Sequence, residues 1–216
     1  MGLRDTVSVI AGTSRGIGLA TASEFLNEGA RVVITGRNEE SLENAMALLD
    51  QKGRRAKVLS IRGDMTDPAD IQHALEKTLS CFERIDSVVA NVGNGAESEG
   101  RDLTQEDWGT SLRTNLTGST ILASKVLPHL LTRGGGSLTF ISSIAGCESV
   151  HAPLAYSSAK AALQGAMENL SRRVGPKVQV NTVAPGNVLF PGGSRERLLT
   201  ERQEFYEEYI KSEVPL

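Results

Sequence analysis

The chain is poor in the residues from which several kinds of functional site are built. Its 2 cysteines, Cys81 and Cys147, have no CxxC spacing, so neither a disulfide framework nor a zinc site is indicated. The 3 histidines, His73, His129 and His151, lie far apart and offer no metal-ligand spacing. Aromatic residues make up 4%, none interleave with a Lys/Arg cluster, and the net charge is -3; nucleic acid is therefore not expected as a partner. No apolar run approaches the roughly 18 residues of a membrane span. No cationic-apolar leader opens the sequence, so the expectation is a cytoplasmic protein without a membrane partner. Met1-Gly2 with Thr6 fits an N-myristoylation pattern, and Asn115-Leu116-Thr117 and Asn169-Leu170-Ser171 fit the glycosylation sequon. The first overlaps an expected strand and the others lack a secretion signal, so all three read as coincidence.

What is present is glycine, 22 residues of it, much of it between apolar runs. Thr6–Ala11 reads as a buried strand, followed by a helix with Leu19, Ala22 and Leu26 on one face. Val32–Thr35, Lys57–Arg62, Asp86–Ala90, Ser137–Ser142 and Val178–Ala184 read as five further strands. Between them lie helices marked by Leu42, Ala45, Met46 and Leu49; by Ile71, Ala74, Leu75, Leu79 and Phe82 behind an Asp67-Pro68 start; and by Trp108, Leu112, Leu116 and Leu122 from Thr104 to near Pro128. A last long helix begins near Pro153 and carries Leu163, Met167 and Leu170; the tail from Ser194 to Glu213 has helical composition. Near-continuous apolar strands alternating with helices predict an α/β fold with a doubly wound parallel sheet, of the Rossmann type. No linker or repeat interrupts residues 1–216, which fit a single domain.

Gly12-Thr13-Ser14-Arg15-Gly16-Ile17-Gly18 falls between the first strand and the first helix. Glycines there let the backbone approach a pyrophosphate, and the helix N-terminus supplies N–H groups and partial positive charge. The same residues contain G-x-S-x-G, the elbow of serine hydrolases, but that elbow follows several strands rather than the first. Arg37 follows the second strand, where an NAD site carries an acid for the ribose 2′-hydroxyl. A guanidinium suits a 2′-phosphate instead, and Arg15 is a second candidate arm. Each arginine alone fits a surface charge; together they favour NADP(H) over NAD(H). Asp64, after the third strand, is a candidate for the adenine amine or for a turn. Tyr156 and Lys160 stand four apart, on one helix face, where a cationic amine favours a neighbouring phenolate.

The Gly12-x3-Gly16-x-Gly18 loop followed by Asn91, Asn115, Ser143, Tyr156, Lys160 and Pro185-Gly186 resembles the short-chain dehydrogenase/reductase family, in the manner of its 3-oxoacyl-carrier-protein reductases. The resemblance runs from about Val7 to Pro215. Ser143 stands thirteen residues before Tyr156, the family's serine-to-tyrosine spacing, which selects it over Ser142. The resemblance implies an oxidoreductase interconverting a carbonyl and a secondary alcohol. Tyr156 is its acid/base, Lys160 lowers the Tyr156 pKa and holds the nicotinamide ribose, and Ser143 bonds the carbonyl oxygen. Asn115 holds its helix open and positions a water. It places the cofactor at Gly12, Ser14, Arg15, Gly16, Ile17, Gly18, Arg37, Asp64, Met65, Asn91, Gly93, Tyr156, Lys160, Pro185, Gly186 and Val188. It also implies a homo-oligomer, a dimer or tetramer, and a substrate loop over about 187–213, with Cys147 and His151 near the pocket.

Three departures stand out. The family's Asn-Asn-Ala-Gly reads Ala90-Asn91-Val92-Gly93; Phe190 stands where a threonine often bonds the carboxamide; and the family's seventh strand has no counterpart before Pro215-Leu216. The alternative reading is a catalytically weak NADP(H)-binding sensor or structural subunit.

Overall fold

The computed structural model describes residues 2–50, 53, 55–95 and 100–213. Met1 of the myristoylation motif, residues 96–99 of the Gly-rich loop and the chain past 213 lie outside them. The chain divides into two compact units, Met1–Pro185 and Gly186–Leu216.

The first unit is a Rossmann-type domain whose 6 strands, all parallel, run in the order β3-β2-β1-β4-β5-β6. They are β1 (Val7–Ala11), β2 (Arg31–Gly36), β3 (Val58–Arg62), β4 (Ser87–Ala90), β5 (Gly136–Ile141) and β6 (Val178–Val183). The helices of this unit are α1 (Gly16–Asn27), α2 (Glu39–Leu49), α3 (Pro68–Phe82), α4 (Gln105–Leu112), α5 (Gly118–Thr132) and α6 (Leu154–Val174). Strand residues alternate between two cores. Ile10, Val32, Ile34 and Val89 meet Ala22, Leu26, Leu42, Ala45 and Leu49 of α1 and α2. Val7, Val9, Val33, Val88, Leu138 and Phe140 meet Ile71, Leu75, Leu122, Val126, Leu163 and Met167 of α3, α5 and α6. Burial on both faces is what the apolar strand runs encode.

The boundaries differ from the sequence expectation where packing overrides local signals. The helix expected to end near Pro128 continues to Thr132, because Leu130 beyond the proline is fully buried and its packing outweighs the missing hydrogen bond. The helix from Thr104 is not continuous either: a π-helical segment, Arg113–Thr117, separates α4 from α5. Lys57 belongs to a short 3-10 turn, Arg55–Lys57, and Thr6 precedes β1. Asp67 caps α3 as expected, accepting from the Ala69 and Asp70 N–H groups. In the second unit the helical tail is two helices, α7 (Ser194–Glu201) and α8 (Gln203–Glu213). Arg202 separates them, its guanidinium 4.4 Å from the Phe205 ring centroid.

The strand order reverses between β1 and β4, so the loops leaving these strands open a crevice at their C-terminal ends. The opposite end is tied by Asp86. Its Oδ2 accepts from Arg84 Nε at 2.8 Å and from the Val7 N–H at 2.8 Å. Its Oδ1 accepts from Arg84 Nη2 at 2.6 Å and from Arg133 Nε at 3.2 Å. Its own N–H donates to Val7 O at 2.9 Å, and its carbonyl accepts from the Ser137 N–H at 3.0 Å. One residue therefore joins β1, β4, β5 and the end of α5. Burial raises the Asp86 pKa, but the bonds from Arg84, Val7 and Arg133 outweigh it and hold the carboxyl below the ordinary 3.8.

Because the folded pKa is depressed, this contribution is complete above the ordinary carboxylate pKa and is lost as pH falls through the lower folded value. Asp86→Asn is expected to cost about 1–3 kcal/mol near neutral pH. Urea titrations at pH 7 and at pH 3 check this: the gap between wild type and variant should narrow at the lower pH.

Candidate active site

At the end of β1 the chain turns at Gly12, whose φ of 72° is in the left-handed region, and α1 opens at Gly16. Arg15, the N-cap, gives α1 no side-chain cap, and no acid lies in the first turn. The first bond into the helix runs from the Leu19 N–H to Arg15 O at 3.4 Å. The N–H groups of Gly16, Ile17 and Gly18 find no acceptor among the described residues. Three unbonded donors at the positive end of a helix suit the oxygens of a pyrophosphate. Gly18 must lack a side chain, since a Cβ there would lie 2.2 Å from Gly12 O. Asn91, just past β4, donates from Nδ2 to the same Gly12 O at 2.8 Å, closing the crevice floor across the strand reversal.

The sequence reading missed Thr13. Its Oγ1 donates to Thr35 O at 3.1 Å and accepts from the Thr35 N–H at 2.8 Å, both threonines being fully buried. This reciprocal pair fastens the glycine loop to the end of β2. The available signal was a threonine inside the loop and another closing an otherwise apolar strand.

Arg37 follows β2 with its side chain 80% exposed, and its Nη1 lies 3.9 Å from Asp64 Oδ2. Asp64 Oδ1 accepts from the Thr66 N–H at 2.9 Å and from Thr66 Oγ1 at 2.8 Å, so one oxygen makes the turn after β3 and the other faces Arg37. Arg62, also missed, donates from Nε to Arg37 O at 3.3 Å. Arg15 is exposed and Ser14 half-buried. The Met65 side chain is in the core, 3% exposed, which leaves only its backbone for a ligand.

The chemical side of the crevice is built by β5, the π-helical segment and α6. Tyr156 and Lys160 lie one turn apart near the start of α6, with Lys160 Nζ 5.8 Å from the Tyr156 ring centroid. Lys160 is 3% exposed and donates to Ile141 O at 2.9 Å. Burial disfavours its charged form and lowers its pKa from 10.5 to about 8. Asn115, fully buried within the π-helical segment, accepts from the Asn94 N–H at 2.9 Å and donates to Asn94 O at 3.1 Å. Gly93 sits between the two residues: a Cβ there would come within 3.0 Å of both Asn115 Oδ1 and Lys160 Nζ. Ser143 is half-buried and caps a 3-10 turn, Ile144–Gly146. Its Oγ accepts from the Ala145 N–H at 3.2 Å, which leaves its own proton to donate. Its neighbour Ser142 is buried and turned inward, donating to Lys160 O at 3.2 Å. Pro185 O accepts from the Ile144 N–H at 3.1 Å. Cys147 and His151 are exposed.

Gly186 and Val188 belong to the second unit, where Asn187 Nδ2 donates to the Tyr209 hydroxyl at 3.3 Å and Val188 is exposed. Among the described residues no group of histidine, cysteine, aspartate and glutamate could hold a metal, and no helix is long and apolar enough to cross a membrane.

A donor-rich helix start at a strand reversal, with a buried lysine and a tyrosine on the adjoining edge, invites comparison with known proteins. Residues 6–197 match the family model described as short chain dehydrogenase. Dehydrogenase/reductase SDR family member 4 of Rattus norvegicus is 30% identical over 214 residues, spanning 94% of this chain and 75% of that protein. An uncharacterized oxidoreductase of Staphylococcus epidermidis is 30% identical over 190 residues, spanning 88% of this chain and 80% of its own. The crystal structure of levodione reductase superposes with a TM-score of 0.89 at 25% identity, covering 97% of this chain and 83% of that one. A short-chain dehydrogenase/reductase of unknown function from Caenorhabditis elegans, solved with cofactor, gives 0.86 at 29% identity, with coverage of 97% and 80%. The NADP-bound C-domain of a bacterial malonyl-CoA reductase gives 0.83 at 28%, covering 94% of this chain and 34% of that one. The family-model match takes in residues 6–185 of the crevice-forming unit, with every candidate site residue in it, and on that ground the chain belongs to the short-chain dehydrogenase family and is an oxidoreductase.

Proposed function

We propose that the protein is an NADP(H)-dependent oxidoreductase that interconverts a small-molecule carbonyl and the corresponding secondary alcohol. The observation that carries this reading is the buried Lys160 one turn from Tyr156, with a pKa of about 8. An ammonium held out of water beside a phenol stabilises the phenolate far more than an exposed one would, so the phenol can exchange a proton near neutral pH.

The nicotinamide, when bound, supplies or takes up the hydride. The chain's own residues do the rest. The N–H groups of Gly16, Ile17 and Gly18 bind the pyrophosphate. Arg37 and Arg15 hold the 2′-phosphate, with Arg37 drawn by charge from its long contact with Asp64. The second oxygen of Asp64 is then available to the adenine amine. Ser143 donates to the carbonyl oxygen, stabilising the charge that develops there. Tyr156 gives its proton to that oxygen in reduction and takes it back in oxidation. Lys160 holds the ribose hydroxyls and restores the proton to Tyr156. Asn115 pins the loop at Asn94 and keeps the helix open for a water. Residues 187–213 supply the substrate loop, and the protein works as a homo-oligomer in the cytoplasm. The choice of NADP(H) over NAD(H) rests on Arg37 and Arg15; the NADP in the malonyl-CoA reductase neighbour agrees with it.

Incubation with NADPH and a panel of carbonyl compounds, followed by absorbance, tests the reading. Tyr156→Phe is expected to lower kcat about 100-fold or more while NADPH still binds; undiminished turnover in this variant would sink the tyrosine mechanism. Tight NADPH binding by the wild type with no turnover on any carbonyl would favour a sensor. Arg37→Asp should cut the preference for NADPH over NADH by about 10-fold or more, as loss of a charge-assisted bond does; titration of cofactor fluorescence reads this directly. The kcat/KM for reduction reports ionisations of the free protein. It should fall as pH rises through about 8, where Lys160 changes from cationic to neutral.

A further inference from the structure

Gln164 lies one turn beyond Lys160 and two beyond Tyr156, so the three share one stripe of α6. It is half-buried, and its amide has two distinct partners. Nε2 donates to Ser142 Oγ at 3.1 Å and to Cys147 Sγ at 3.3 Å. These two partners flank Ser143, one at the end of β5 and the other at the close of the 3-10 turn. Both are tied further. Ser142 Oγ donates to Lys160 O at 3.2 Å. The single thiol proton of Cys147 is shared between Ser143 O at 3.7 Å and Gln164 Oε1 at 3.6 Å. The turn also sits directly on the α6 backbone. A Cβ on Gly146 would lie 2.7 Å from the Lys160 carbonyl carbon and 2.8 Å from the Ala161 nitrogen.

Ser143 comes from the turn that follows β5 and Tyr156 from α6, and nothing in either element alone sets the distance between their hydroxyls. We propose that Gln164 is a positioning residue that sets it, by bolting both ends of the Ser143 turn to the helix that carries Tyr156 and Lys160. The proposal rests on the roles given above to Ser143, Tyr156 and Lys160. The chemistry requires glutamine. A primary amide presents two N–H donors at once, whereas methionine of similar length presents none, a glutamate carboxylate only accepts, and asparagine is one methylene short.

The test uses NADPH and a carbonyl compound that the wild type reduces. Gln164→Met is expected to lower kcat roughly 10-fold, since misplacing a reacting group by a fraction of an ångström costs rate on this order. The NADPH dissociation constant should stay within about twofold, and the pH midpoint near 8 should stay where it is, because Lys160 keeps its burial. Cys147→Ser, which keeps a donor and an acceptor, should retain kcat, while Cys147→Ala should lose severalfold. If Gln164→Met fails to bind NADPH because it does not fold, the exposed Cys147 pair of variants carries the test. Wild-type kcat in Gln164→Met, equal kcat in Cys147→Ser and Cys147→Ala, or a loss of NADPH affinity parallel to kcat in a Gln164→Met protein that keeps the wild-type circular dichroism spectrum would each overturn the proposal. These outcomes are separable from failure of the underlying reading, which would show as turnover persisting in Tyr156→Phe.

Discussion

Lys160 is 3% exposed, and its ammonium donates to Ile141 O at 2.9 Å. An isolated cation in that position is disfavoured, and its pKa falls to about 8 in consequence. The surroundings that make this tolerable also make the site. The end of β5 offers its carbonyl, the Tyr156 ring lies 5.8 Å away, and Asn115 Oδ1 approaches the same point beside Gly93. The geometry of the crevice is in large part the geometry needed to bury one amine.

That burial depends on helices packing closely against a parallel sheet. Asn115 is fully buried in a π-helical segment, where one extra residue in the turn breaks the regular hydrogen-bond ladder between α4 and α5. Its side chain bonds the backbone of Asn94 instead. A regular helix through residues 113–117 would carry the following residues around by a different rotation. The local irregularity therefore sets where Asn115 meets the loop at Asn94.

The two ends of the sheet do different work. At the N-terminal end Asp86 uses both oxygens and its backbone to join β1, β4, β5 and α5, with two arginines neutralising it. Its groups are satisfied within the protein and leave little to offer a ligand. At the C-terminal end the N–H groups of Gly16, Ile17 and Gly18 have no acceptor among the described residues. Polar capacity saturated at one end and left open at the other is what allows a rigid scaffold to hold a polar ligand.

Sequence alone determined the fold class, because strand-length apolar runs alternating with amphipathic helices have few other ways to bury both faces of a sheet. Local spacing singled out the glycine loop, Arg37 and the Tyr156–Lys160 pair as candidates, through a turn between strand and helix and a helical repeat of four, whereas Asn115 and Ser143 were singled out by the resemblance to the short-chain dehydrogenase/reductase family. It did not reveal the Thr13–Thr35 pair, the contact of Arg62 with Arg37, or the bridge from Gln164 to Ser142 and Cys147. Each joins residues far apart in the chain through hydrogen bonds whose distances no periodicity encodes. The helix boundary at Pro128 was misjudged for the same reason: a local preference was overruled by burial of Leu130, which only the packed structure supplies. Residue types and intervals along the chain specify which groups are available. Which of them lose water, and which face each other once they do, was decided by tertiary packing.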